Sequence, residues 1–358
     1  MERSAAGSRN PPRAAQSRVQ SLDPAAVACR LQAGSEPRQP LHRSARGQPG
    51  DRGQTGHRQP FPAAYASAAA WRRHQRGRPG MKSAITISLV PEARGGPFVL
   101  HCGEGGPLSL AEGCRVAAEL GFDGVEVFPS DAAGVPADEL RELLESHRLS
   151  LAAVGTGAGW LRERLSLCDP EASVRGRAVE FIGDVIDVAG SLAAPAIIGS
   201  MQGRTSPKLP RKSALAMLAE ALGSLGDRAA RHGQVLLYEP LNRYETDLFN
   251  SIVDAAAFLE KNSLTHVRIL ADLFHMNIEE ADMAAAIGEA GRRVRHVHWA
   301  DSNRRAIGLG HTDVRPLVAA LRSIGFRGYL SAEVFPLPSP EEAAAASIQS
   351  FLAHASGK

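Results

Sequence analysis

Four side chains of metal-ligand type lie at regular intervals in the second half of the sequence. Each follows or ends an apolar stretch that we predict to be a strand, and the four are Glu239, Asp272, His298 and Glu333. The intervals between them are 33, 26 and 35 residues, each close to the roughly 30 residues of one strand–helix unit. If the strands are parallel, the four side chains meet at one edge of the sheet.

Three carboxylates and one imidazole at one edge would be costly to bury without a compensating cation. Carboxylate oxygens with one imidazole nitrogen suit a hard divalent ion. We therefore predict that these four residues hold one divalent metal ion, with Mn²⁺ expected and Mg²⁺ or Co²⁺ as alternatives. Taken singly, each residue would be interpreted as a cap, an ion-pair partner or a buried polar group.

Three more polar side chains follow the predicted ligands along the chain, at distances of six, three and six residues, and these are Glu245, His275 and Arg304. They belong to the loops beyond the strands or to residues close to the strand ends. The alternative for each is an ordinary solvated loop. The segment 302–313 contains glycine and is polar, so it could fold over a small ligand, with only one of Arg304 and Arg305 pointing inward.

His296 alternates with His298 and therefore shares one face of the same predicted strand. We expect it to be a buried neighbour of the cluster rather than a ligand.

Strands and helices alternate from residue 81 onward, which predicts parallel strands joined by helices. The eight predicted strands span 84–90, 123–129, 149–157, 194–200, 234–240, 267–275, 294–301 and 328–336. The eight predicted helices span 109–121, 137–148, 169–193, 212–233, 251–262, 281–291, 314–325 and 339–355. We expect Asp169 to cap the third helix with Pro170 in its first turn.

Eight such units in the segment 81–358 predict an α/β protein with a (β/α)8 TIM barrel, whose usual size is about 250 residues. An open doubly wound sheet is the alternative. Against it, the segment after the first strand, VPEARGGPFVLHCGEGG, is long and has no GxGxxG. In a barrel, the carboxyl ends of the strands carry the chemistry.

Residues 1–80 differ in composition from the rest of the chain. They contain 14 Arg, no Lys and 4 acidic residues, whereas the remainder has 27 basic and 34 acidic residues. We expect this Arg/Pro/Gly/Ala-rich extension to be disordered, or not to belong to the native product if translation starts at Met81. A nucleic-acid-binding arm and a transit peptide are the alternatives.

The remaining composition favours a cytoplasmic protein. The four cysteines form no CxxC pair, so we expect neither a thiolate zinc site nor a disulfide framework. The sequence contains no uninterrupted run of 18 apolar residues, so we predict no transmembrane helix.

Four segments, EPLNRYETD, ADLFHMNIEE, HVHWADSNRRAIGLGHTD and SAEVFPLP, resemble the D-tagatose/D-psicose 3-epimerase family of xylose-isomerase-like barrels. The resemblance covers about residues 81–358. It implies that Glu239, Asp272, His298 and Glu333 bind the metal ion and that Glu239 and Glu333 are also the acid/base pair. It further implies that Glu245, His275 and Arg304 hold the O1–O2 end of the substrate, and that the protein is a homodimer or homotetramer.

The resemblance implies epimerisation at C3 of a ketose or keto-sugar acid through an enediolate, with one glutamate removing a proton and the other returning one. The segments VGTGAGWLRERLSLCDP and IIGSMQGR look most like 5-keto-L-gluconate epimerase. An aldose–ketose isomerase resembling hydroxypyruvate isomerase is the first alternative. An apurinic endonuclease and a non-catalytic sugar-binding barrel are further alternatives. We expect a small sugar or keto-sugar acid as partner, and neither nucleic acid nor membrane.

Overall fold

The computed structural model describes residues 80–104 and 106–357. The predicted disordered extension lies outside the described residues except for Gly80, so it stays a prediction. Cys29 also lies outside, and the other three cysteines are buried and free. Among the described residues, no helix combines the length and the apolar character needed to cross a membrane.

Parallel strands close into a barrel, which confirms the predicted fold and excludes the open sheet. The strands are β1 Lys82–Ser88, β2 Leu100–His101, β3 Gly124–Phe128, β4 Ser150–Gly155, β5 Ala196–Ile198, β6 Leu236–Tyr238, β7 Val267–Asp272, β8 Val294–His298 and β9 Tyr329–Ala332. The sheet order is β2-β1-β3-β4-β5-β6-β7-β8-β9, and β9 also pairs with β1 to close the ring. The short β2 pairs only with β1 and lies outside the ring of eight.

Helices follow the strands of the barrel, and all eight predicted ones occur close to the predicted positions. They are α1 Leu110–Leu120, α2 Ala137–His147, α3 Ala158–Glu163, α4 Ala172–Ser191, α5 Arg211–Arg231, α6 Ile252–Lys261, α7 Leu273–Glu279, α8 Met283–Ala290, α9 Val314–Ser323 and α10 Pro340–His354. Several begin at strong caps, such as the capping box of Ser109 and Glu112 at α1.

The core has two parts, because successive residues of a strand face opposite sides of the sheet. Most apolar residues pack between the barrel and its helices. A smaller cluster, one residue each from β4 to β7, fills the inside of the barrel with Ala153, Ile197, Leu237 and Leu270. This inner packing leaves the polar side chains of the strand ends at the carboxyl edge.

Several details differ from the sequence predictions. The strands predicted over 194–200, 234–240, 294–301 and 328–336 end earlier, at Ile198, Tyr238, His298 and Ala332. The strand predicted for 267–275 ends at Asp272, because the Asp272 side chain accepts a hydrogen bond from the Phe274 amide (2.7 Å) and starts α7. The third predicted helix begins at Ala172 without a side-chain cap. Asp169 instead accepts a hydrogen bond from the Glu171 amide (2.8 Å), a local turn before the helix. The short β2 and α3 were not predicted.

Candidate metal centre

The four predicted ligands converge at the carboxyl edge of β6 to β9. Asp272 and His298 are the last residues of β7 and β8, while Glu239 and Glu333 directly follow β6 and β9. One ligand atom from each side chain lies within 4.8 Å of the others. The Nδ1 atom of His298 is 3.2 Å from Glu239 Oε1, 3.3 Å from Asp272 Oδ2 and 3.5 Å from Glu333 Oε2.

Local structure explains why these side chains point at one another. Asp272 uses Oδ1 to cap α7, which leaves Oδ2 for the cluster. Glu239 fits because Gly199 follows β5 with no side chain, and a Cβ there would lie 2.4 Å from Glu239 Oε2. The main chain of Glu239 is held by Gln202, whose Nε2 donates to the Glu239 carbonyl oxygen (3.0 Å).

The electrostatics of the cluster show opposing effects. Burial raises the pKa of Glu239 to about 7, with Glu333 and Asp272 adding repulsion. Burial also raises the pKa of Glu333. For His298, burial acts to lower the pKa, but the charges of Glu333 and Glu126 outweigh it and raise the pKa well above its ordinary value.

A divalent cation fits this donor set. Glu239 and Asp272 expose only 6% and 1% of their surface, and buried carboxylates that crowd together require a positive partner. Glu239 Oε1 is a buried atom without a hydrogen-bond partner among the described residues, although His298 Nδ1 lies 3.2 Å away. Three carboxylates with one imidazole are the ligand types that Mn²⁺ and Mg²⁺ accept.

Arg304 is the arginine that reaches the cluster, as expected for only one of the pair Arg304 and Arg305. Its Nη2 donates to Glu333 Oε2 (2.5 Å) and lies 3.7 Å from Asp272 Oδ2. The guanidinium also lies over the Phe274 ring, 5.0 Å from its centre. Burial acts to lower the pKa of Arg304, but the carboxylates, Glu333 first, outweigh it and raise the pKa.

The loop that carries Arg304 is organised by the buried carboxylate of Asp301. Its oxygens accept hydrogen bonds of 2.7–3.0 Å from four backbone amides, those of Ser302, Gly308, Gly310 and Thr312. Arg304 itself adopts a left-handed conformation (φ 57°), which is strained for a residue with a long side chain. The Asp301 anchor therefore fixes the loop in the shape that turns Arg304 inward.

His275 also lies in the site, and Asn242 orients it. The Asn242 Nδ2 atom is 2.7 Å from His275 Nδ1, and the Asn242 oxygen accepts from the Tyr244 amide (3.0 Å). The donor end of the amide thus faces His275, so the neutral ring carries its hydrogen on Nε2. That Nε2 lies 3.6 Å from Asp272 Oδ2 and has no hydrogen-bond partner among the described residues.

Glu245 lies at the edge of the same group with its side chain 41% exposed. Its Oε1 accepts from Asn242 Nδ2 (3.0 Å) and is 3.9 Å from His275 Nδ1. The structure therefore brings Glu245, His275 and Arg304 to the rim of the cluster. The bridging role of Asn242 was not predicted, although its position between Glu239 and Glu245 in the sequence was a usable signal.

Glu126 is the main residue that the sequence analysis missed. It lies in β3, is 5% exposed, and contacts both His296 and His298 across the inside of the barrel. The available signal was an acidic residue between Val125 and Val127, since a carboxylate within an apolar strand needs a buried partner. His296, predicted to be a buried neighbour, is 2% exposed.

The closed (β/α)8 barrel with a polar cluster at its carboxyl edge defines a TIM-barrel protein with its site in the usual position of this fold. The sequence matches the family described as "Xylose isomerase-like TIM barrel" over residues 114–354. The chain therefore belongs to the xylose isomerase-like TIM barrel family, which confirms the resemblance noted from the motifs.

Curated relatives agree with this assignment. The chain is 30% identical over 230 residues to 3-dehydro-D-guloside 4-epimerase of Escherichia coli K12, covering 63% of this chain and 86% of the relative. It is 33% identical over 226 residues to D-psicose 3-epimerase of Enterocloster bolteae, covering 60% and 73%. The crystal structure of 3-keto-D-glucoside 4-epimerase from E. coli has a TM-score of 0.63 at 25% identity, covering 76% of this chain and 99% of that one. The chain is an enzyme of the isomerase class.

Proposed function

We propose that this protein epimerises a keto sugar at the carbon next to its carbonyl group, with Glu239 and Glu333 as the acid/base pair. The observation that carries the proposal is the convergence of four ligand-type side chains from four consecutive strands within 4.8 Å. The relatives support the reaction class, since both are named as epimerases of sugars.

The residues that would hold the metal ion are Glu239, Asp272, His298 and Glu333, with Mn²⁺ as the proposed ion and Mg²⁺ or Co²⁺ as alternatives. A divalent ion supplies Lewis-acid polarisation of the substrate carbonyl, which makes the neighbouring C–H group more acidic. No redox cofactor and no covalent nucleophile are required for this reaction.

Proton transfer is assigned to the two glutamates. One carboxylate removes the proton from the carbon beside the carbonyl, giving an enediolate, and the other returns a proton to the opposite face. This requires carboxylates on two sides of the substrate, and Glu239 and Glu333 follow β6 and β9, which are separated by two further strands.

Binding of the substrate oxygens is assigned to the rim of the cluster. The Nε2 of His275 and the Nε of Arg304 are buried and lack hydrogen-bond partners among the described residues. Both are donors in the assigned states, so each can satisfy a carbonyl or hydroxyl oxygen of the sugar. Glu245, partly exposed beside His275, is the proposed acceptor for a hydroxyl group.

Three substrate types remain to be compared: free ketoses, keto-sugar acids and 3-keto glycosides, the last suggested by the relative from E. coli. The test is an NMR screen of these compounds in D₂O with Mn²⁺. Deuterium at C3 of a 2-ketose or at C4 of a 3-keto glycoside would support epimerisation. Deuterium at C1 or C2 with conversion to an aldose would instead support the isomerase alternative, and saturable binding without exchange would support a non-catalytic barrel.

A further inference from the structure

We propose that Glu126 is a positioning residue, which holds the His298 imidazole in the orientation and tautomer that the metal site needs. This inference rests on the proposed metal-binding role of His298. Glu126 would then influence the affinity of the site for the metal ion without being one of its ligands.

The geometry links Glu126 to two imidazoles. Glu126 Oε1 lies 3.2 Å from His298 Nε2, and Glu126 Oε2 lies 2.8 Å from His296 Nε2. All three side chains are at least 94% buried, and they come from β3 and β8, which β1 and β9 separate in the ring of strands. The contact therefore crosses the inside of the barrel, one layer beneath the ligands.

The donor and acceptor roles follow from the chemistry of the groups. An ionised carboxylate only accepts hydrogen bonds, so each imidazole must present an N–H group at Nε2. A neutral imidazole with its hydrogen on Nε2 has its lone pair on Nδ1. The Nδ1 of His298 is the atom that faces Glu239, Asp272 and Glu333, so Glu126 selects the tautomer whose lone pair points into the cluster.

His296 contributes by fixing the second oxygen of Glu126. A carboxylate with one partner can rotate about its last bond, whereas one with both oxygens engaged has a fixed plane. The rings of His296 and His298 are also nearly perpendicular, with an interplanar angle of 89° and centres 5.7 Å apart. His296 thus supports the metal site through its contact with Glu126.

A rival role for the same residues can be tested in the same experiment. Glu126, His296 and His298 each offer a ligand atom within 4.8 Å of the others, so they are themselves a candidate metal site. In that case His298 would bridge two ions through its two nitrogens. The number of ions per chain separates a positioning role, which requires one ion, from a ligand role, which requires two.

The test is a Mn²⁺ titration of the full chain, followed by the electron paramagnetic resonance signal of free Mn²⁺, for the wild-type protein and Glu126→Gln. We expect one ion per wild-type chain and a 10- to 100-fold larger dissociation constant in Glu126→Gln. This is the usual loss of affinity when a hydrogen-bond partner of a metal-binding histidine is removed. Turnover should fall more at limiting than at saturating Mn²⁺, because the lost interaction acts on ion binding.

Two further variants complete the test. Asp123→Asn is the matched control, because Asp123 is a carboxylate just before β3 that accepts two hydrogen bonds from Ser83 (2.8 and 3.0 Å) at the opposite end of the barrel. It should keep the wild-type affinity. Glu126→Asp keeps the carboxylate and should lose less affinity than Glu126→Gln, and it carries the test if the glutamine variant fails to fold.

Three results have distinct meanings. Wild-type affinity, within twofold, in folded Glu126→Gln would overturn the positioning role. Two ions per wild-type chain would overturn it in favour of a second metal site. A wild-type chain that binds no ion would instead contradict the proposed function on which this inference rests.

Discussion

The two ends of the barrel carry opposite charge and differ in how deeply their charged side chains are buried. At the carboxyl end of β8 and β9, His298 and Glu333 belong to a buried cluster of ligand-type side chains. At the amino end of the same strands lie Arg295 and Arg327, and Lys82 begins the neighbouring β1. The amino-end cations are exposed, whereas the carboxyl-end group is almost fully buried.

Burial, rather than charge or cavity size, distinguishes the end to which we assign the function. A cavity of about 650 Å³ opens at the amino end and is lined by Lys82, Arg295 and Arg327. Among the described residues these cations form no ion pair with a carboxylate, but water screens exposed charges at little cost. The carboxyl-end carboxylates lack that screening, so their convergence needs a functional explanation.

Replacing a glutamate of the acid/base pair is expected to have the largest effect. Glu239→Gln and Glu333→Gln should each lower turnover by about 10²- to 10⁴-fold or more, because each removes a proton-transfer group as well as a ligand. The measurement is the initial rate with the substrate found by the deuterium screen, with folding checked by circular dichroism. Glu145→Gln at the amino-end cavity is the matched control, and near-wild-type turnover of either site variant would remove that glutamate from the mechanism.

Loosening the loop behind Arg304 should have a smaller effect at the same end. Asp301→Asn replaces an acceptor of four backbone amides by a side chain with one acceptor oxygen. We expect a loss of about 1–3 kcal/mol in the free energy of unfolding and a clear rise in KM, since Arg304 is no longer held inward. Chemical denaturation and steady-state kinetics measure the two effects, and an unchanged KM would show that the loop does not position Arg304.

The buried cluster should also cost stability when no ion is bound. In metal-free protein, Glu239→Gln is expected to raise the free energy of unfolding by about 1–2 kcal/mol, because it removes one of three crowded buried carboxylates. Saturating Mn²⁺ should stabilise the wild-type protein, so that its free energy of unfolding then exceeds that of Glu239→Gln. Urea titrations with and without Mn²⁺ measure this, and a metal-free variant less stable than the wild type would contradict the account.

The same kind of change at the amino end should have almost no effect. Arg295→Gln and Arg327→Gln should leave turnover within about twofold and the free energy of unfolding within about 0.5 kcal/mol, as for most surface substitutions. The assays are those used for the glutamates. A loss of turnover comparable to that of Glu239→Gln would break the contrast between the two ends.

The sequence predicted the barrel well because each unit carries its own local signals. Apolar runs mark the strands, and caps such as Ser251, whose side chain accepts from the Val253 and Asp254 amides, mark the helices. The regular spacing of Glu239, Asp272, His298 and Glu333 then follows from the repeat, so the cluster could be predicted as a group. Their metal-binding role stays a prediction until an ion is measured.

What the sequence could not show depends on contacts between distant segments. Glu126 and His298 are separated by 172 residues, and no local pattern pairs them. Leu273 and Phe274 after Asp272 are apolar and continue the strand pattern, whereas the helix start there depends on the hydrogen bond from the Phe274 amide to the Asp272 side chain. The inward orientation of Arg304 likewise depends on hydrogen bonds from backbone amides of its loop to the Asp301 carboxylate. The order of residues in the loop does not reveal these bonds.

The most direct test of the central claim is the turnover of protein stripped of metal by a chelator, dialysed, and then titrated with Mn²⁺. The account predicts an inactive stripped protein whose turnover returns in proportion to added ion and reaches its maximum near one equivalent per chain. Full turnover of the stripped protein, or no response to any divalent ion, would contradict it.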